Sequence, residues 1–292
     1  RMGYTAHNAT DLVAPSMRYN RGRWARIDRM DDYSRPAKLH LKVKQDGQVN
    51  VDADNVGSFT IFPHEGPFIP GQSIRLHSQG QLLATGSFGQ FLQHELTPAP
   101  KGLLVKTADL AGPIDEAFHG RMIYVYGTQG TDAQTDMLRK AACQACRWPQ
   151  YDLRIPVKAD HEITEEDLTH ATLHLFGGLL NSIYAGVASR LPVLVQPTGF
   201  SIGEEKFEGP DWVCQFIFPN PLKSEKYILA HLANSESGWF YRGWFPKKEQ
   251  REPLPDLWVA RLQDNPDIGK AGVPPVYAYQ AWFDAQWRIR IK

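Results

Sequence analysis

Gly199-Phe200-Ser201-Ile202-Gly203 has the G-x-S-x-G spacing of a nucleophile elbow. That chemistry needs a strand before the serine and a helix after it, so that the hydroxyl stands exposed on a sharp turn beside an N–H oxyanion hole. Here Glu204 to Phe207 runs into Gly209-Pro210, and Phe200, Ile202 and Phe207 alternate, which predicts a hairpin and a non-catalytic Ser201. Cys143-Gln144-Ala145-Cys146 is a C-x-x-C pair, but it falls in the third turn of a helix instead of at the N-terminus, where the dipole lowers a thiol pKa. No second pair completes a zinc site, so the cysteines are expected to pack. His161-Glu162 with Glu165, Glu166 and Asp167 could be an acid–base cluster, yet acids in a first helical turn are what the helix dipole favours. His170 and His174 straddle a helix end and a strand, and His7, His64, His94, His119 and His231 show no ligand spacing.

Glycine-rich loops offer a different chemistry. Gly127-Thr128-Gln129-Gly130-Thr131 joins a strand to a helix, the place where a doubly wound sheet cradles phosphate. Gly177, Gly178 and Asn181 occupy the corresponding loop after a later strand, so both loops should open at one sheet edge. The candidate ligand-binding residues are therefore Gly127, Thr128, Gly130, Thr131, Gly177, Gly178 and Asn181. The full G-x-G-x-x-G pattern and a P-loop lysine are both missing, and ordinary βα turns are the competing reading. Arg18-Tyr19-Asn20-Arg21-Gly22-Arg23-Trp24-Ala25-Arg26 interleaves bases with aromatics as a single-strand nucleic-acid binder would. Asp28, Asp31 and Asp32 follow at once, which predicts a neutralised surface strand.

The elements that must carry these residues change rhythm along the chain. Residues 1–111 hold short runs bounded by turns: Leu39 to Val43, Val49 to Val51, Ser58 to Phe62, Ser73 to His77, Gln81 to Ala84 and Leu103 to Lys106. Turn signals at Gln45 to Gln48 and Ser78 to Gly80 predict hairpins, and the whole reads as an antiparallel β-sandwich-like domain. Residues 112–292 alternate strands with helices. Strands are expected at Met122 to Tyr126, Leu153 to Val157, Thr172 to Phe176 and Val193 to Val195. Between them, Thr131 starts a helix with capping-box spacing to Gln134 and a stripe of Leu138, Ala141, Ala142 and Ala145. Thr164 caps a second helix, and a third covers Ser182 to Leu191. This order predicts a three-layer Rossmann-like or flavodoxin-like α/β domain with a mostly parallel sheet. Val213 to Phe218 and Tyr227 to Leu232 are expected to extend it antiparallel, and the tail, with Leu257 to Leu262 and Ala281 to Ile289, reads as strand plus aromatic packing.

Composition narrows the function classes. Hydrophobic residues make up 42% of the 292, which excludes intrinsic disorder. Lys and Arg number 32 against 32 Asp and Glu, and this balance argues against a nucleic-acid partner. No apolar run approaches the roughly 18 residues of a membrane span, so no membrane partner is expected. Three cysteines are too few for a disulfide framework. Asn8-Ala9-Thr10 is a sequon that matters only in a eukaryotic secretory protein. The chain begins at Arg1, not Met, and reads as a processed product or a piece of something longer.

Several segments resemble the region downstream of the catalytic domain in multidomain serine esterases of the α/β-hydrolase class related to prolyl oligopeptidase. They are Arg18-Tyr19-Asn20 with Trp24 to Asp28, Gly112 to Phe118, Val157 to Asp160 with Ile163-Thr164, Phe218-Pro219-Asn220-Pro221, and Trp282-Phe283-Asp284 with Trp287. In that family the triad belongs to the hydrolase domain, which the resemblance places before Arg1. It therefore carries no catalytic role onto any residue here, and the residues themselves lead to no expected metal ligand and no expected cofactor. The resemblance implies an accessory or assembly region whose partner is that upstream domain or identical subunits, in a secreted or periplasmic setting. A small-molecule module using the two glycine loops for a nucleotide, flavin or sugar is the alternative from another class, and an autonomous hydrolase acting through Ser201 is a third.

Overall fold

The computed structural model describes residues 8–99, 101, 104–147, 155–196, 198–241, 254–264 and 276–290. It is a β-rich mixed fold with several sheets. Contacts divide the chain into two compact units, Arg1–Ala111 with Phe283–Trp287, and Gly112–Trp282 with Arg288–Lys292. The aromatic tail segment Phe283–Trp287 thus belongs to the first unit, although it lies in the second half of the sequence. The Lys106 N–H donates to the Ala285 carbonyl at 2.8 Å, and its ammonium lies 4.8 Å from the Trp287 ring.

The first unit contains β1 (Ala9–Ala14), β2 (Ala25–Met30), β3 (Ala37–Val43), β4 (Gln48–Asp54), β5 (Val56–Ile61), β6 (Ser73–Ser78), β7 (Gln81–Ser87) and β8 (Leu92–Glu95). A five-stranded sheet runs β1-β3-β4-β6-β7 and a three-stranded one β2-β5-β8. Along β3 every second residue is buried, which is the half-buried strand that its alternating sequence specifies. Leu39, Leu41, Val49, Ile74 and Leu76 of the larger sheet share one core with Ile27, Phe59 and Ile61 of the smaller. Both expected hairpins form, β3–β4 and β6–β7. The strand expected at Leu103 to Lys106 does not: residues 104–106 are irregular and residue 103 lies outside the described residues. Strand β2 starts only at Ala25, and Met17–Tyr19 before it is a 3-10 turn, not part of a surface strand.

The second unit contains β9 (Met122–Tyr126), α1 (Asp132–Ala145), β10 (Val157–Ala159), α2 (Glu165–His170), β11 (Thr172–Phe176) and α3 (Ser182–Val187). It continues with β12 (Leu194–Gln196), β13 (Gly199–Ile202), β14 (Glu205–Glu208), β15 (Trp212–Asn220), β16 (Lys223–Ala233), α4 (Glu236–Trp239), β17 (Leu257–Arg261) and β18 (Tyr277–Ala281). The main sheet has seven strands in the order β10-β9-β11-β16-β15-β17-β18. Strands β10, β9, β11 and β16 are mutually parallel, and the remaining pairs are antiparallel.

Helix α1 forms as its sequence demands. Thr131 and Gln134 close a capping box, and Leu138, Ala141, Ala142 and Ala145 are its buried stripe, packed with Tyr124 and Phe176. On the opposite face Tyr184 of α3 meets Phe216, with ring centroids 6.5 Å apart. Two strand expectations fail. Val157–Ala159 pairs where Leu153 to Val157 was expected, and residues 153–154 lie outside the described residues. The run Val193 to Val195 does not join the parallel sheet: β12 pairs with β13 in a separate three-stranded sheet. After α3 and the 3-10 turn Ala188–Arg190 the chain enters β12, which takes the next strand in sequence, β13, as its antiparallel partner. The vacant position beside β11 is taken by β16, parallel to it instead of antiparallel. No helix among the described residues is long and apolar enough to cross a membrane.

Candidate functional site

Strands β10, β9 and β11 lie side by side, so the loops leaving their C-terminal ends meet at one sheet edge. The chain reverses its direction of winding at β9, the place where open α/β sheets bind ligands. The structure does bring Gly127, Thr128, Gly177, Gly178 and Asn181 together there, and shows what each one touches.

Asp160, just after β10, is the centre of the cluster, and its side chain is fully buried. One carboxylate oxygen accepts from the Thr128 hydroxyl at 2.6 Å and the His161 N–H at 2.9 Å. The other accepts from the Ser182 N–H at 2.6 Å and the Thr128 N–H at 3.3 Å. Burial by itself would raise this carboxyl, but the Ser182 N–H and the Thr128 hydroxyl outweigh it and hold the group below the ordinary aspartate value. Those N–H groups are the ones an anionic ligand would take, and a resident anion already takes them. His161 is exposed beside the cluster, its Nδ1 3.4 Å from the Thr128 hydroxyl. Glu162 turns away, accepting the Ala159 N–H at 2.8 Å.

Asn181 holds the two glycine loops in place. Fully buried, it donates to the Val125 and Phe176 carbonyls, both at 3.2 Å. Its oxygen accepts from the Ile183 and Tyr184 N–H groups at 3.1 and 3.3 Å, which caps α3. Gly177 and Gly178 both adopt positive φ, 117° and 53°, in the turn that delivers it. The Gln129 N–H donates to the Leu180 carbonyl at 2.9 Å, so the loops are joined backbone to backbone.

Gly127 allows that approach, since a Cβ there would run into the Leu180 carbonyl. Gly130 differs: a Cβ there would meet only the side chain of Gln134. Gly127→Ala is accordingly expected to cost about 1–3 kcal/mol, and Gly130→Ala less than about 1 kcal/mol, in urea unfolding. Equal costs would mean that Gly127 is not held by loop–loop packing.

The other candidates fall into separate places. Ser201 lies inside β13, buried and paired on both sides, opposite Leu194 of β12 and Lys206 of β14. Its hydroxyl accepts from the Gln196 amide at 3.4 Å, and no helix follows it. Cys143 and Cys146 are free, half-buried thiols flanking the stripe of α1. Burial pushes the Cys146 thiol up, and its Sγ rests on the Cys143 carbonyl at 3.2 Å. Among the described residues no group of three or more His, Cys, Asp and Glu could hold a metal ion. The Asp167 carboxylate is consumed by the Thr164 N–H and hydroxyl at 3.1 and 3.0 Å, by Lys158 at 2.7 Å and by Arg121 at 3.3 Å. Arg26 pairs with Asp28 at 2.6 Å, while Arg21 finds a partner that its sequence neighbourhood did not reveal, Glu65 at 2.8 Å.

His170 is exposed on α2, whereas His174 is completely buried on β11, so the two share no site. His174 belongs to a row that sequence reading missed: His174, His231, Gln215 and Trp258, on β11, β16, β15 and β17. Its signal was present only as polar residues within apolar strand runs. Gln215 stands directly opposite His231 and opposite Trp258 in the strand registers. Compared with known proteins, the chain matches no family model, no curated protein and no solved structure at a significant level.

Proposed function

We propose that this chain is a non-catalytic accessory or assembly region of a serine-hydrolase-like protein. In this reading a β-sandwich-like domain precedes a Rossmann-like or flavodoxin-like scaffold. The strand order β10-β9-β11, with β16 parallel beside it, supports the scaffold reading, since doubly wound sheets of flavodoxin type begin in that order.

The observation that carries the functional reading is Asp160. The donors at the sheet's usual ligand position are cross-linked through the protein's own carboxylate, which makes the loop pair a rigid support and repels a phosphate. Leu179, next to this cluster, and Leu194 and Leu222 elsewhere in the second unit present large apolar side chains to solvent. Such side chains supply contact area for a partner, either a catalytic domain encoded before Arg1 or identical subunits. The resemblance adds the secreted or periplasmic setting.

The test is a fluorophosphonate probe applied to the chain, with thermal shift against nucleotides, flavins and sugars on the same preparation. The expected result is no covalent label and no shift. A label on Ser201 overturns the proposal in favour of an autonomous hydrolase, and a shift of several degrees overturns it in favour of a small-molecule module.

A further inference from the structure

The row His174, His231, Gln215 and Trp258 crosses four neighbouring strands of the main sheet, and its two ends settle where every proton in it sits. The Trp258 indole N–H can only donate, so the Gln215 atom at 3.0 Å from it is the amide oxygen. The Gln215 amide nitrogen therefore faces His231 Nδ1, at 3.2 Å, and makes that nitrogen an acceptor. The His231 proton is then on Nε2, which donates to His174 Nδ1 at 3.3 Å. His174 in turn carries its proton on Nε2 and donates to the Ala117 carbonyl at 3.0 Å, which can only accept.

All four ring nitrogens are used, and both rings are neutral. A further proton on His174 Nδ1 would face the His231 N–H, and one on His231 Nδ1 would face the Gln215 amide N–H. The two histidines are 0% exposed and Gln215 and Trp258 1%, so water cannot relieve either conflict.

Among the described residues, the surroundings offer an added charge little. Tyr124 of β9 stacks on His174 with centroids 4.4 Å apart, Phe118 meets it edge-on at 5.0 Å, and Phe176 stacks on His231 at 4.4 Å. Tyr241 and Tyr277 lie beyond, 6.1 and 5.6 Å from the Trp258 ring. These three tyrosines are neutral in acid. Asp115, two residues before Ala117, accepts the Leu254 N–H, and burial raises its carboxyl so that it too loses charge early in acid. From α1 and α4 the row's neighbours Tyr124 and Phe176 receive the apolar Leu138 and Trp239.

We propose that this row is an acid-sensitive latch: at neutral pH it ties β11, β16, β15 and β17 together, and proton uptake by the two rings loosens that sheet while the first unit stays folded. Burial pushes His174 down to about 4, and burial with the neighbouring His174 ring lowers His231 well below its ordinary value. The unfolded chain takes up these protons near 6.5 and the folded chain does not. The stability the rings contribute is thus complete above 6.5 and falls away as the pH drops toward 4. Two such rings lower the folded-to-unfolded ratio about 100-fold per pH unit, and one ring about tenfold. Asp136, Asp160 and Asp167, held below 3.8, act only in more acid solution. In the first unit His94 is also lowered by burial, which gives that unit the slope of one ring against two.

Hydrogen exchange on the full chain at pH 7 and pH 5 tests this, read at the β11 and β16 amides against those of β3 and β4. The second unit is expected to lose protection steeply and the first only weakly; equal loss, or none, overturns the latch. Nitrogen-15 imidazole spectra of the folded protein give a second reading that needs no variant. Both rings are expected as Nε2–H tautomers that stay unprotonated at pH 5, and a ring titrating near 6.5 overturns the proposal. His231→Gln should halve the slope of the logarithm of the unfolding constant against pH.

Discussion

Replacing Asn181 with alanine is expected to destabilise the second unit by about 2–4 kcal/mol, because a fully buried side chain with four hydrogen bonds would vanish at once. The Val125 carbonyl would be left buried without this donor, the Phe176 carbonyl would keep only the Gly127 N–H, and the first turn of α3 would lose its cap. Each desolvated carbonyl costs about 1–3 kcal/mol and a lost cap about 1 kcal/mol. Urea unfolding followed by circular dichroism measures the sum. Asn181→Asp separates the parts: its oxygen can still cap α3, but two carbonyls would then face a carboxylate, so it should be at least as damaging. A loss below about 1 kcal/mol for both variants would show that the loop pair is not held through this residue.

The second large effect is expected at Asp160. Asp160→Ala leaves the Ser182 N–H and the Thr128 N–H and hydroxyl without their shared acceptor, at a cost of about 3–4 kcal/mol. Asp160→Asn is no remedy, because one end of the amide would point its N–H₂ at groups that are themselves donors. The carboxyl is held below its ordinary 3.8, so its contribution is complete above that value and is lost as the pH falls through the lowered one. Stability measured between pH 5 and pH 2 should therefore fall less steeply in Asp160→Asn than in the natural chain. Above pH 5 the histidine row acts without this carboxylate, and below pH 5 the difference in slope between Asp160→Asn and the natural chain isolates it. If Asp160→Ala kept its stability and acquired phosphate binding, the carboxylate would be a gate on a ligand site and not a structural tie.

Both residues show how far sequence reading reached. Helix α1 was legible because everything that makes it is local: a capping box three residues apart and a stripe at helical spacing. The β3–β4 hairpin was legible for the same reason, with alternation on both sides of a turn. The two glycine loops were recognised, and the sheet order does bring them together. The carboxylate that joins them comes from a third loop, across the sheet, and nothing beside Asp160 in the sequence marks it. Asn181 stood out as a loop residue, but its hold on Val125 and Phe176 depends on strands being neighbours.

What the sequence by itself determined is therefore the set of local elements, the change from β-rich to mixed architecture, and which residues could carry charge or a nucleophile. Which strand lies beside which was decided only in the tertiary structure. Pairing is a competition among all strands for each edge: β12 paired with its sequence neighbour β13, and the eleven-residue β16 filled the edge of β11 instead. That one outcome put His231 beside His174 and Gln215 beside His231, turning scattered polar residues into a continuous buried row. Hydrogen bonds act over about 3 Å in space, and no spacing along the chain encodes that distance when the partners are 57 residues apart.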